Sequence, residues 1–283
     1  MNKLLKNPRL ALAIKVAHTA GRVIKKGYGQ MVEIKQKSVG DLFSEVDIEA
    51  ERVVINLIKQ EDPWSEIIAE ESAPDLNDSP SRWILDCLDG SVGFLFMVGK
   101  DKPAVLIAHQ QDGVTDVGVI YLPLTDELFF AVKGKGAFKG DGGKLQVDAS
   151  WVLRDSWVEM NQYGDSSLET DIFARLRITL RSMQGATLVT SQAPHSSIAM
   201  RMLDGTMRLA AVIHDNNPKK VKQECWDVAA VQLIVEEAGG VVVDFAANEY
   251  DIFKAKPFIV ASSLALAYEI IDAYKEGTIY KVI

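Results

Sequence analysis

The run from Trp83 to Ser91, Trp-Ile-Leu-Asp-Cys-Leu-Asp-Gly-Ser, closes an apolar segment with two carboxylates, Asp86 and Asp89, and then a glycine and a hydroxyl. Trp83, Ile84 and Leu85 read as the end of a buried strand, and Gly90 has the backbone freedom for a sharp turn that carries both aspartates toward one spot. Carboxylates that close repel unless a cation lies between them. Two other segments also place an acid at the end of an element. The short strand Ile67-Ile-Ala-Glu-Glu-Ser72 brings Glu70, and an apolar helix opening Cys225-Trp226-Asp227 brings Asp227. An all-oxygen set of Glu70, Asp86, Asp89 and Asp227, with no histidine in the three segments, suits a hard cation such as Mg²⁺ rather than zinc. Two such ions about 4 Å apart suit phosphoryl transfer.

The elements that must position these groups can be read from hydrophobic spacing. From Pro8 to Tyr28, apolar residues at Leu10, Ile14, Ala17, Ala20 and Ile24 give a first helix that stops at Gly27 and Gly29. Met31 to Ile34 can form a strand. Ser44 or Asp47 can cap a second helix over 45–60 with the face Val46, Ala50, Val53 and Leu57. The Pro-, Ser- and Asp-rich stretch 73–81 reads as a loop. Apolar runs at 104–109, 117–121, 128–132 and 137–138, separated by turn residues, predict an antiparallel meander. Beyond Asp155 strands and helices alternate: a strand at 157–160, a helix through Phe173 and Leu176, a strand at 186–190, a helix from Pro194, a strand at 207–212, the Asp227 helix, a strand at 257–261 and a last helix at 264–274.

The two runs WILDCLDGS and WDVAAVQLIVEEAGG, with the upstream GDLFSEVDIEAE and the central GVIYLPLTDELFFAVKGKGAF, resemble, in this order, the inositol monophosphatase family of Mg²⁺-dependent, lithium-sensitive phosphatases. The resemblance covers most of the chain. It implies an α+β fold, a layered αβαβα sandwich of the sugar phosphatase type. Two intimately packed lobes, 1–150 and 151–283, would place the site in the cleft between them. It further implies two or three Mg²⁺ ions held by Glu70, Asp86, the Leu88 carbonyl, Asp89 and Asp227. Asp47 and Ser91 would orient the attacking water beside Glu70, with serine standing where threonine is more usual. The Gly90 and Ser91 amides are placed for phosphate oxygens. Asp41 lies in the upstream segment, and Lys37, just before it, is a cation within reach of the site. His195 and Glu224 are candidate substrate contacts. Lys220, with Lys219 and Lys222, forms a basic loop ahead of Asp227 that favours a second phosphate on the substrate. Two positions depart from the family pattern: Cys87 replaces a proline, and Val92-Gly93 replaces a threonine-asparagine pair.

Hydrolysis of a small phosphorylated metabolite is therefore the expected function, with inositol monophosphate, 3′-phosphoadenosine 5′-phosphate and fructose 1,6-bisphosphate as substrate candidates. The alternative is a catalytically weak metal- and anion-binding regulatory protein that keeps the fold. The resemblance also suggests a homodimer. With 283 residues, 48% hydrophobic and 25% charged, the composition is that of a globular protein. The net charge of −8 argues against a nucleic-acid polymer as partner. No apolar run approaches the roughly 20 residues of a membrane span, and no secretory signal is apparent, so a cytoplasmic location is expected. Cys87 and Cys225 then read as reduced, small buried hydrophobes, with a redox switch between them as the minor alternative.

Overall fold

The computed structural model of the protein describes residues 4–38, 41–72, 74, 79–97, 103–140, 142–161, 176, 179, 187–191, 195–205, 211–214, 225–254 and 256–276. Helix α1, Pro8–Gly27, starts where the Asn7 side chain accepts hydrogen bonds from the Arg9 and Leu10 amides and Pro8 supplies a preset φ. It buries Leu10, Ala13, Val16, Ala17, Ala20 and Ile24. A hairpin follows, β1 (Ile34–Ser38) with β2 (Asp41–Ser44). It begins at Ile34, where the sequence suggested a strand ending. Met31 is fully exposed, while Val32 is half-buried against the core beneath α1 and α2 and has no strand partner.

Helix α2, Glu45–Glu61, is capped by Ser44, and Asp47 completes a capping box. Its buried face is Val46, Asp47, Ala50, Glu51, Val54 and Ile58, with Val53 and Leu57 only half-buried. The expected apolar stripe is thus rotated by one position, because two carboxylates, Asp47 and Glu51, share the inward face one turn apart.

A seven-stranded sheet is built in sequence order from β3 (Glu66–Ala69), β4 (Ser81–Asp89), β5 (Ala104–Gln111), β6 (Val114–Leu122), β7 (Glu127–Val132), β8 (Gly136–Lys139) and β9 (Lys144–Leu145). Only the β3–β4 pair is parallel; the rest is the meander expected from the turn residues, with longer strands. A second sheet has the order β11 (Thr187–Ser191), β10 (Trp157–Asn161), β12 (Ala211–His214), β14 (Phe258–Ala261) and β13 (Val241–Asp244). Strand β13 was not anticipated, because its four residues directly follow a helix and a glycine pair. Helices α3 (Ser91–Leu95), α4 (His195–Leu203), α5 (Cys225–Glu237) and α6 (Leu264–Glu276) follow, and short 3₁₀ turns lie at Leu4–Lys6 and Leu153–Asp155. Of the expected helix through Phe173 and Leu176, Leu176 and Thr179 are helical and buried, Leu176 within the core around α6, and its other residues and most of the 73–81 loop lie outside the described residues.

Three cores define five layers. On one face of the large sheet Trp83, Leu85, Ile107 and Val119 pack against α1 and α2. On its other face Ile84, Leu106, Ile120 and Phe129 meet α4 and α5, which also cover Val242, Phe258 and Val260 of the second sheet. The far face of that sheet packs Val158, Met160 and Ile259 on Leu266, Ile270 and Ile271 of α6. The fold is therefore an α+β sandwich with helix, sheet, helix, sheet and helix in succession. Helix α5 can lie flat on β6 because Gly118 has no side chain: a Cβ there would sit 3.1 Å from the Ala230 carbonyl oxygen.

Helix α4 is fastened to the large sheet by ions. Arg201 donates to both Glu127 oxygens at 2.9 and 2.6 Å, and Lys139 reaches Glu127 at 2.7 Å and Asp204 at 3.0 Å. The Arg201 hydrogen bonds, with Lys139 assisting, pull the Glu127 carboxyl down from 4.5 to about 2. A depressed folded pKa contributes stability that is fully present above the unfolded value near 4.5 and is lost as pH falls toward 2. Glu127→Gln is accordingly expected to lower the melting temperature at neutral pH. The gap to the parent should close as pH is lowered from about 4.5 toward 2, which thermal melts across a pH series would read.

Candidate metal centre

Side chains three apart on a regular strand face opposite sides, so Asp86 and Asp89 should be separated by the sheet. A bulge reverses this. Asp86 is paired with Leu106 but Asp89 with Ala104, so three steps on β4 match two on β5. Both aspartates consequently face the α4/α5 layer, as Ile84 does. The sequence placed this work on the Gly90 turn; Gly90 does hold a left-handed conformation (φ 89°, ψ 38°), but its role is to start α3.

Asp227, in the first turn of α5, reaches the same spot. One carboxylate oxygen from each of Asp86, Asp89 and Asp227 lies within 4.8 Å of the other two. Asp86 and Asp89 are buried and Asp227 is half-buried. Burial, and then the charges of Glu70, Asp89 and Asp227, push the Asp86 carboxyl well above the usual carboxylate range, against one hydrogen bond of 2.9 Å from the Leu88 amide. Asp89 is pushed up to about 7, by burial foremost; the hydroxyl of Ser196 donates to its Oδ2 and acts in the opposite direction, and Glu70 raises it further. The charges that raise Asp86 are all carboxylates. Buried oxygen donors that repel one another in this way fit a hard divalent cation, which would neutralise them.

Glu70 follows β3 and is half-buried. It stands outside the three-aspartate set, yet its charge acts on both Asp86 and Asp89. The turn that carries it is fastened by Glu51, whose carboxylate accepts from the Glu71 amide at 2.8 Å and from the Ser72 hydroxyl. The Ser91 hydroxyl donates to Asp47 Oδ1 at 2.7 Å, with the Leu88 carbonyl as a second acceptor at 3.2 Å. Asp47 Oδ2 accepts from the Ser44 amide at 2.8 Å and the Ser44 hydroxyl at 2.7 Å. Asp47 is thus a helix cap on one oxygen and the partner of Ser91 on the other. Amides at the start of α3, after Gly90, have no acceptor within the helix.

Sequence reasoning missed Ser196 and Glu51. The i, i+4 spacing of Asp47 and Glu51 was the available signal for Glu51; for Ser196 none existed, since its partner is 107 residues away. His195 is the first residue of α4, Lys37 lies on β1 and Asp41 opens β2, but their side chains are not described. Lys219, Lys220, Lys222 and Glu224 fall outside the described residues. Cys87 belongs to the core on the α1/α2 side and Cys225 to the core on the other side of the sheet, an arrangement that separates the two thiols. Burial raises both, Cys225 to about 12, which keeps them protonated.

A model of the inositol monophosphatase family matches residues 5–277. The chain is 34% identical to a "Nus factor SuhB" of Haemophilus influenzae, over 86% of this chain and 88% of that one. It is 30% identical to an inositol monophosphatase of Mesembryanthemum crystallinum, over 95% and 96% of the two chains. Among solved structures, the extragenic suppressor protein suhB of Bartonella henselae superposes with a TM-score of 0.82 at 27% identity, covering 94% of this chain and 98% of that one. Bulged β4 with its paired aspartates, the Asp227 helix behind it and a match over nearly the whole length lead to one conclusion: the chain belongs to the inositol monophosphatase family.

Proposed function

We propose that the protein is a Mg²⁺-dependent phosphatase of a small soluble phosphate monoester. Family membership supports the phosphatase class, and the observation that carries the reading is the buried three-aspartate cluster beside the Asp47–Ser91 hydrogen bond. Asp86, Asp89, Asp227, Glu70 and the Leu88 carbonyl hold two or three Mg²⁺ ions. When bound, these supply charge neutralisation at the phosphoryl oxygens and acidify water. The chain's own residues do the rest. Ser91 Oγ, its hydrogen donated to Asp47, keeps lone pairs with which it accepts from a water and aims it at phosphorus. As that water attacks in line, its proton passes to Ser91 Oγ while the Ser91 proton moves to Asp47 Oδ1. Gly90 and Ser91 amides bind phosphate oxygens. Ser196 holds Asp89 in its orientation from α4.

Substrate choice belongs in this reading to His195, Lys220 and Glu224, and the lysines at 219, 220 and 222 favour a bisphosphate over inositol monophosphate. The division into lobes 1–150 and 151–283, with the site between them, a homodimeric state and lithium inhibition are parts of the same proposal. The test is phosphate release from inositol monophosphate, 3′-phosphoadenosine 5′-phosphate and fructose 1,6-bisphosphate with and without Mg²⁺. Metal-dependent release from a bisphosphate is expected, and absence of turnover on all three overturns the reading.

A second reading has its own support: relatives about one-third identical carry the name Nus factor SuhB. In it the chain binds Mg²⁺ and an anion with little turnover and acts by association, Val92-Gly93 and Cys87 being the departures that weaken catalysis. Mg²⁺ binding by calorimetry without phosphate release would favour it.

A further inference from the structure

Outside the metal centre, a groove of about 820 Å³ runs between α1 and α2 on the outer layer. Its α1 wall carries Lys15, His18, Arg22 and Lys25, a spacing that places all four on one helical face. The α2 wall contributes the uncharged amides of Asn56 and Gln60, and Tyr121 of β6 also lines it; among the described residues no carboxylate lines the groove. This one-signed wall is unusual in a chain of net charge −8. Helix α1 has five basic residues, Arg9, Lys15, Arg22, Lys25 and Lys26, and no acidic one, whereas a merely solvated helix face interleaves both signs. Acids touch the groove cations from outside: Glu61 pairs with Lys15 at 2.8 Å and Asp126 with Lys25 at 3.3 Å. Arg22, between them, donates to the Thr19 hydroxyl at 2.9 Å, and among the described residues it has no carboxylate partner.

We infer that the α1–α2 groove is a second anion site, which binds a small molecule carrying two or more phosphate groups. The guanidinium of Arg22 offers a fork matched to phosphate oxygens. Lys15 to Lys25 spans ten residues, about 15 Å of helix, so a single phosphate reaches only one or two of the cations and a molecule with spaced phosphates reaches more. Asn56 and Gln60, as donors and acceptors, suit hydroxyls or ring nitrogens of the portion between them. Where such a ligand sits it touches neither Asp86 nor Ser91, so binding here is separable from turnover.

Tripolyphosphate titrated into metal-free protein is the test. Without cations the three-aspartate centre repels that anion, leaving the groove to be read. His18 reports the event. Burial, with the Lys25 and Arg22 charges, lowers its pKa while Asp126 opposes, and Tyr121 stands edge-on to it at 4.4 Å. A bound polyanion is therefore expected to raise the His18 pKa in an NMR titration. Arg22→Gln should weaken binding about tenfold or more, as should Asn56→Asp, which puts a negative charge on the opposite wall without touching α1. Affinity should also fall as salt is added. An unmoved His18, equal binding by both variants and the parent, or binding only of a polyglutamate peptide overturns the inference.

Discussion

Asp89→Asn is expected to abolish Mg²⁺-dependent phosphate release, by about 10³-fold or more, since several kcal/mol of charge stabilisation depend on the cation it helps to hold. The same substitution should have the opposite effect on the metal-free fold. Asp89 is buried among like charges, and replacing it with a neutral isostere removes repulsion while Asn Oδ1 can still accept from Ser196. The metal-free variant should therefore melt at or above the parent, and the rise in melting temperature that Mg²⁺ gives the parent should vanish. Thermal melts with and without Mg²⁺, alongside phosphate release, check both signs. A variant that melts well below the metal-free parent would show that Asp89 supports the fold by contacts rather than straining it by charge.

The second large effect is expected at Asp47. Its two oxygens serve different masters: Oδ2 accepts from the Ser44 amide and hydroxyl and so caps α2, while Oδ1 accepts from Ser91. Asn has only one accepting oxygen, so Asp47→Asn must give up one side. Turning the amide toward Ser91 forfeits the proton acceptor and should lower kcat by about 10² to 10³-fold; turning it toward Ser44 loses about 1 kcal/mol of capping. Mg²⁺ affinity should change little in either case, because Asp47 is not in the three-aspartate set. Ser91→Thr should retain turnover, since it keeps the hydroxyl. Steady-state kinetics and Mg²⁺ calorimetry on the same preparations separate this loss from that of Asp89→Asn.

Helix α2 lines the groove with Asn56 and Gln60 and carries Asp47 at its other end. Gly27 near the end of α1 lies so close to Val46 that a Cβ there would approach its side chain to 2.6 Å, and Val46 precedes Asp47. Phe94 of α3, three residues past Ser91, would lie 3.5 Å from the same Cβ.

What the sequence determined by itself is local. Apolar spacing and caps fix α1, α2, α6 and the meander, because each depends on contacts between near neighbours and on turn residues. Acid placement at element ends singles out Glu70, Asp86, Asp89 and Asp227 as candidates, of which the three aspartates come together, and the motif order is enough to name the family. Tertiary structure decided the rest. Which face Asp89 takes depends on a bulge set by pairing with β5, where a simple strand period would have sent it to the other side of the sheet. The inward face of α2 depends on two carboxylates that point to the site, so hydrophobicity alone misplaced it by one residue. Ser196 meets Asp89 across 107 residues of chain, and the basic groove exists only where α1 lies beside α2. Such juxtapositions are made by layer packing, and no period in the sequence encodes them.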